Sequence, residues 1–255
     1  MFSPKVFFSF TEIPEPADHR AYNAWHQLDH RPENLLLPGV LWGERWVRSP
    51  DCARSGSAPD PALAKLHYLN MYWFKDPVDQ ATAEWSSLAE RSFHWGRRDD
   101  VHLANRLLMG FFRPIKGYVN DRVLVSADAL PFRPTRGIYV SVTRIDEPRS
   151  PEAETLFRWY DRSRIPALLA CRGAAGAWTF ASESTFASAL DLSGGASPAS
   201  TRILIVYLDE DPLAFVEDLA QHPVDERAQS TETMLVTSPL RTIIPWQWDW
   251  FDDRA

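Results

Sequence analysis

The segment at residues 25–39, WHQLDHRPENLLLPG, places His26, Asp29 and His30 close together and reaches Pro32 two residues later. Histidine is the usual acid or base near neutral pH, and a neighbouring carboxylate can orient its proton. On a wheel of about 100° per residue, Ala21, Trp25 and Leu28 form an apolar face with Tyr22 at its edge, and Asp29 falls on that face. His19, Asn23, His26 and His30 form an adjacent stripe on the flank. If the apolar face is buried, Asp29 points into a pocket, where a carboxylate takes a shifted pKa unless it is paired. The alternative is that Asp29 caps the segment after Pro32 or pairs with an arginine such as Arg45. Pro32 is expected to end or kink the helix at Arg31, which lets His30 swing over the pocket mouth. The alternative for His30 is an exposed side chain at a helix C-terminus. His30 and Asp29 are therefore the candidate acid–base groups, with His26 and Tyr22 orienting substrate or relaying a proton. His26 and His30 stand at i, i+4, a spacing that can hold a metal, but no third ligand lies nearby, and neither metal nor cofactor is expected.

Elsewhere the chain has no GxSxG and no glycine-rich phosphate loop. Asp161 and Arg164 could receive an anionic group or simply end a solvated helix. Eleven tryptophans are unusual for 255 residues. Core packing accounts for most of them; Trp25, Trp42, Trp73 and Trp85 are the candidates to line an apolar pocket, with Arg164 as a further substrate-binding residue. The formal net charge of −7 argues against a nucleic-acid partner. The N-terminal apolar run is too short and too polar for a signal peptide or a membrane span, so a cytoplasmic protein without a membrane partner is expected. Cys52 and Cys171 are expected to be free thiols.

The elements that must position these residues occur twice. KVFFSFTEIPEP (5–16) lies over GIYVSVTRIDEP (137–148), WHQLDHRPENLLLPG over WYDRSRIPALLACRG with Trp25 on Trp159 and Pro32 on Pro166, and FFRPI (111–115) over TIIPW (242–246) with Pro114 on Pro245. Three matches in the same order indicate a duplicated unit of roughly 110 residues. Period-two alternation predicts strands at Val6–Phe10, 40–47, 65–74 and 109–116, then 137–145, 174–181, 202–208 and 240–248. Helical spacing predicts helices at 18–31, 76–93, 151–169 and 211–221. The order βαββαβ, twice, implies an α+β fold of two tandem ferredoxin-like units with antiparallel sheets that pack face to face into an intrachain α+β barrel. Expected boundaries are 1–117 for the first half, 118–135 for a linker and 136–255 for the second half, with polar loops at 50–64 and 182–200.

The segment YNAWHQLDHRPENLLLPGVLWGERW resembles the motif of EthD-like proteins in the dimeric α+β barrel superfamily, through Asp29, His30, Pro32, Leu37, Pro38 and Gly39. Only the first half keeps the acidic-His pair; Ser163 and Arg164 stand in its place in the second. The resemblance implies a ligand pocket between sheet and helices in each half. It also implies a superfamily of cofactor-independent oxygenases, isomerases, cyclases and decarboxylase-like enzymes, with haem-dependent branches.

Two readings of function follow. The first is an enzyme performing acid–base chemistry (lyase, isomerase, cyclase or cofactor-free oxygenase) on a small hydrophobic or aromatic molecule in the first-half pocket. The second is a non-catalytic module that binds a hydrophobic ligand or acts as a scaffold; haem binding is a third, resting on superfamily breadth alone. A homodimer is compatible with all three.

Overall fold

The alternating apolar residues of eight strands resolve into one closed antiparallel sheet. The computed structural model describes residues 5–98, 102–188, 199–222 and 231–252. The strands are β1 (Val6–Glu12), β2 (Val40–Val47), β3 (Tyr68–Phe74), β4 (Asn105–Val119), β5 (Gly137–Ile145), β6 (Ala174–Ser188), β7 (Thr201–Leu208) and β8 (Glu232–Thr242). Around the barrel they run β1-β3-β2-β8-β5-β7-β6-β4. The order β4-β1-β3-β2 in one half recurs as β8-β5-β7-β6 in the other. The two sheets therefore do not remain separate layers packed face to face. Their edge strands hydrogen-bond instead, over a short stretch between β2 and β8 and along most of β4 with β6. Closure joins edge strands that face-to-face packing would have left unpaired.

Because side chains alternate along a strand, each strand supplies two layers. Val6, Phe8 and Phe10 of β1 join Leu69, Met71 and Trp73 of β3 and Val140, Ile205 and Phe180 of the second half in one core that fills the barrel. The opposite face looks outward, and helices cover it. In the first half these are α1 (His19–Trp25), α2 (Arg31–Leu35) and α4 (Val78–His94). In the second they are α5 (Pro151–Trp159), α6 (Ile165–Ala170) and α7 (Pro212–Gln221). A short α3 (Pro50–Arg54) precedes β3, inside the segment expected to be a loop, and buries Cys52.

Several expectations need correction. The last strand is Glu232–Thr242, not 240–248. Trp246, Trp248 and Trp250 imitate a strand by their period-two spacing, but Trp246 has a φ of 70° and the chain turns there. In the true register Val6 pairs with Phe112 and Ile138 with Leu240, so Pro114 corresponds to Thr242, not to Pro245. The boundary at 117 falls within β4. The segment 118–135, expected as the linker, is packed: a 3-10 turn at Ala127–Phe132 brings Leu130 into the barrel core and Ala127 O accepts a 2.9 Å bond from the Trp178 indole. The expected loop at 182–200 begins as a continuation of β6 to Ser188, and 189–198 lie outside the described residues. Among the described residues no helix is long and apolar enough to cross a membrane.

Pro32 does not end the helix. It lacks the N–H that would bond Leu28 O, and its ring would crowd that carbonyl. The turn widens instead: His26–His30 is π-helical, with Arg31 N–H bonded to His26 O, and α2 continues through the proline. The second half does the same at Tyr160–Arg164 ahead of Pro166. Such π turns inside α-helices occur frequently at functional sites.

Candidate functional site

Between α1–α2 and the outward face of β1, β2 and β3, the first half buries polar groups rather than apolar ones. His19, Tyr22, Asn23, His26, Gln27 and Asn34 are buried on the helix, opposite Arg45, Tyr68, Asn70 and Tyr72 on the strands. Alternation puts Tyr68, Asn70 and Tyr72 on one face of β3. Gly43 on β2 gives Tyr72 its room, because a Cβ there would lie 2.5 Å from the ring. The Gly43 carbonyl accepts from Arg31 Nη2 at 2.9 Å, which ties β2 to the helix.

Arg45 is 1% exposed and donates to Asn70 Oδ1 (2.9 Å), Asn23 Oδ1 (3.1 Å) and Gln27 Oε1 (3.3 Å), with its guanidinium against the rings of Tyr22 and Tyr68. All three acceptors are neutral. The buried positive charge has hydrogen bonds but no counter-ion at hydrogen-bond distance among the described residues. His19 Nδ1 meets Tyr68 Oη at 2.7 Å, and burial, then His67, hold its pKa down to about 3.

His26 and His30 lie one π turn apart with rings edge to face, centroids 4.8 Å apart. Trp25 stacks flat on His30 at 4.8 Å, and the Asn34 amide lies against the same ring. Burial first, then surrounding cations, keep both imidazoles well below their usual pKa: Arg45 acts most on His26, Arg98 and Arg106 most on His30. Both are neutral at pH 7. His26 Nδ1, Tyr22 Oη, Tyr72 Oη, Arg98 Nε and Arg106 Nη1 are buried without a hydrogen-bond partner, a concentration of unsatisfied polar atoms that marks a place prepared for water or a ligand.

The structure brings Tyr22, Trp25, His26 and His30 together, but not Asp29. Asp29 faces outward, half exposed, and pairs with Arg97 rather than Arg45. The stripe buried against the sheet is the polar one and not the apolar one, because the sheet opposite presents Arg45, Asn70 and two tyrosines. Leu28 is 46% exposed in consequence. Trp73 points into the barrel, where it meets Trp178 and Phe180, so it does not line this site. Trp42 also packs against the barrel core, between Arg31 and Phe132. Trp85 of α4 fills the apolar layer against Phe7, Phe74 and Tyr72. Arg164 turns toward Tyr139, whose phenol is raised by burial, with Arg164 opposing. Sequence reasoning missed Arg45, Asn70, Tyr68, Tyr72, Arg98 and Arg106. Alternation along β3 would have found the tyrosines and the asparagine.

The second half differs at the equivalent place. Ser9 pairs with Asn70 and Asn70 with Arg45; the corresponding chain is Ser141, Leu204 and Thr179. Without the arginine and its partners, a cavity of about 290 Å³ remains.

No family model matches this sequence, and no curated protein matches it. Solved structures do match over nearly the whole chain. The "Putative monooxygenase" of Fusobacterium nucleatum superposes with a TM-score of 0.52 at 8% identity, covering 96% of this chain and 94% of its own. An "anthrone oxidase-like protein" gives 0.52 at 10% identity, covering 94% and 91%. A "Putative Chlorite dismutase" gives 0.52 at 12% identity, covering 98% of both. The chain has the α+β barrel fold. At these identities the likeness extends to architecture, and the chemistry must be argued from the site.

Proposed function

We propose that this protein is an enzyme that removes a proton from a small, largely apolar or aromatic substrate and stabilises the resulting anion in the first-half site. The observation that carries the reading is Arg45: a buried guanidinium held only by neutral amides, close to two neutral imidazoles. A neutral imidazole can accept a proton, and a fixed cation nearby lowers the energy of the enolate or phenolate that forms. His30, nearer the surface, acts as the base; His26, with its free Nδ1, and Tyr22 relay or orient. Asp29 is left an indirect role, as the anchor of Arg97 beside the site. Cofactor-free oxygenation, isomerisation and cyclisation all begin with such an anion.

The same reading takes the chain to be a tandem duplication of an EthD-like, ferredoxin-like βαββαβ unit. The recurrent strand order, the two π turns and the prolines at equivalent positions support that origin. The non-catalytic alternative draws on the second-half cavity, which has the form of a receptor for a hydrophobic ligand.

Anthrone is a suitable first probe, because its ketone acidifies the methylene between the rings. Oxygen uptake with anthraquinone and water as products, and deuterium exchange at that methylene, would be measured for the wild type and His30→Ala. The reading expects turnover that falls about 10²- to 10⁴-fold in the variant. Exchange and uptake equal to buffer alone across a panel of enolisable and phenolic aromatics would remove it.

A further inference from the structure

The second-half cavity is not a defect of packing, and we propose that it is a separate binding site for a small organic acid with an apolar body, whose carboxylate is received by Arg202. The cavity of about 290 Å³ lies between the helical layer at Phe157–Asp161 and the outward face of β5, β6 and β7. Ile145, Phe157 and Leu204 supply apolar wall, and Ser141 and Thr143 add hydroxyls. Mostly apolar walls with a few convergent polar groups are the usual form of a small-molecule site. One wall comes from the first half, since β4 extends through Arg113, Ile115, Lys116 and Tyr118 to pair with β6.

The charges on the wall decide the ligand class. Asp161 is occupied by Lys116 at 3.0 Å and by the Tyr118 hydroxyl, and Glu232 accepts from Tyr160 at 2.8 Å. Arg113, Lys116 and Arg202 outnumber those two carboxylates. Arg202 occupies the register position of Tyr68 in the first half, lies over the Phe157 ring at 4.4 Å, and has a buried Nε without a hydrogen-bond partner. Burial, then Arg113, push its pKa down to about 10, with Glu232 opposing, so its charge is not fully compensated. A carboxylate supplies the missing acceptor in the planar geometry a guanidinium favours. A neutral alcohol would leave the charge unanswered, and an ammonium would meet a surplus of like charge.

The test is calorimetric titration of the full chain with 2-naphthoate and, separately, 2-naphthalenemethanol. The acid is expected to bind at one site per chain at least about tenfold more tightly than the alcohol, the ratio typical of one charge-assisted bond. Arg202→Met should abolish that preference while weak binding of both probes persists. Thr179→Trp, which fills the cavity from a partly exposed position on β6, should abolish binding of both, with circular dichroism as the folding control; it carries the test if Arg202→Met does not fold. Absence of naphthoate binding, equal affinity for acid and alcohol, a preference that survives Arg202→Met, or binding that survives Thr179→Trp would each overturn the proposal.

Discussion

The guanidinium of Arg45 reaches Asn70 Oδ1 at 2.9 Å across the outward face of the first half, and every hydrogen-bond acceptor it finds there is neutral. Replacing it with methionine leaves Asn23, Gln27 and Asn70 short of a donor, at about 1–3 kcal/mol per unsatisfied group, partly offset by relief of a buried charge. Arg45→Met is expected to lose about 2–4 kcal/mol in urea unfolding. Because Arg45 helps hold His26 below its usual pKa, the imidazole should also titrate at higher pH by NMR. An unmoved His26 titration would separate the two residues electrostatically.

Four histidines with a pKa lowered by the fold, His19, His26, His30 and His67, make stability depend on pH. In the unfolded chain they take up protons near pH 6.5, whereas in the folded chain His19 does so only at about 3 and His26 and His30 well below the usual value. Between those limits the unfolded state binds more protons, so stability is full above about pH 6.5 and falls as pH drops, by up to about 1.4 kcal/mol per pH unit for each histidine. Urea midpoints at pH 7 and pH 5 should differ accordingly, and His19→Gln should flatten the slope. Equal midpoints would mean the imidazoles are solvated in the fold.

Gly43 packs so close to Tyr72 that no side chain fits at position 43. Gly43→Ala would set a Cβ 2.5 Å from the Tyr72 ring and 3.3 Å from Leu35. Overpacking of this kind costs about 1–3 kcal/mol. Thermal unfolding should show a lower midpoint, with a larger proportional loss of turnover if the Tyr72 hydroxyl faces substrate.

Pro32 keeps the π turn open. Pro32→Ala restores an N–H able to bond Leu28 O and close the turn to α geometry, which rotates His30 relative to His26. Turnover on the probe of the proposed reaction should fall at least about tenfold, because small misplacements of reacting groups are costly, while the melting temperature changes little. Pro166→Ala, at the equivalent turn of the second half, should leave turnover unchanged. Equal losses in both variants would argue against division of roles between the halves.

The sequence by itself determined the alternating strands and the helices between them, because strand periodicity and turn chemistry are local, but not that Trp73 enters the barrel while Tyr72 faces outward. It also singled out the helix of His26 and His30 as the candidate site. It could not tell which face of that helix is buried: hydrophobicity pointed to Trp25 and Leu28, whereas the polar stripe is the buried one, since it meets Arg45 and Asn70 from strands 15 to 51 residues away. Closure of the barrel by β2 with β8 and β4 with β6, and the choice between a filled site at Arg45 and an open one at Thr179, were likewise decided only by tertiary structure. Both depend on what lies opposite a residue across the sheet, and no spacing along the chain records that.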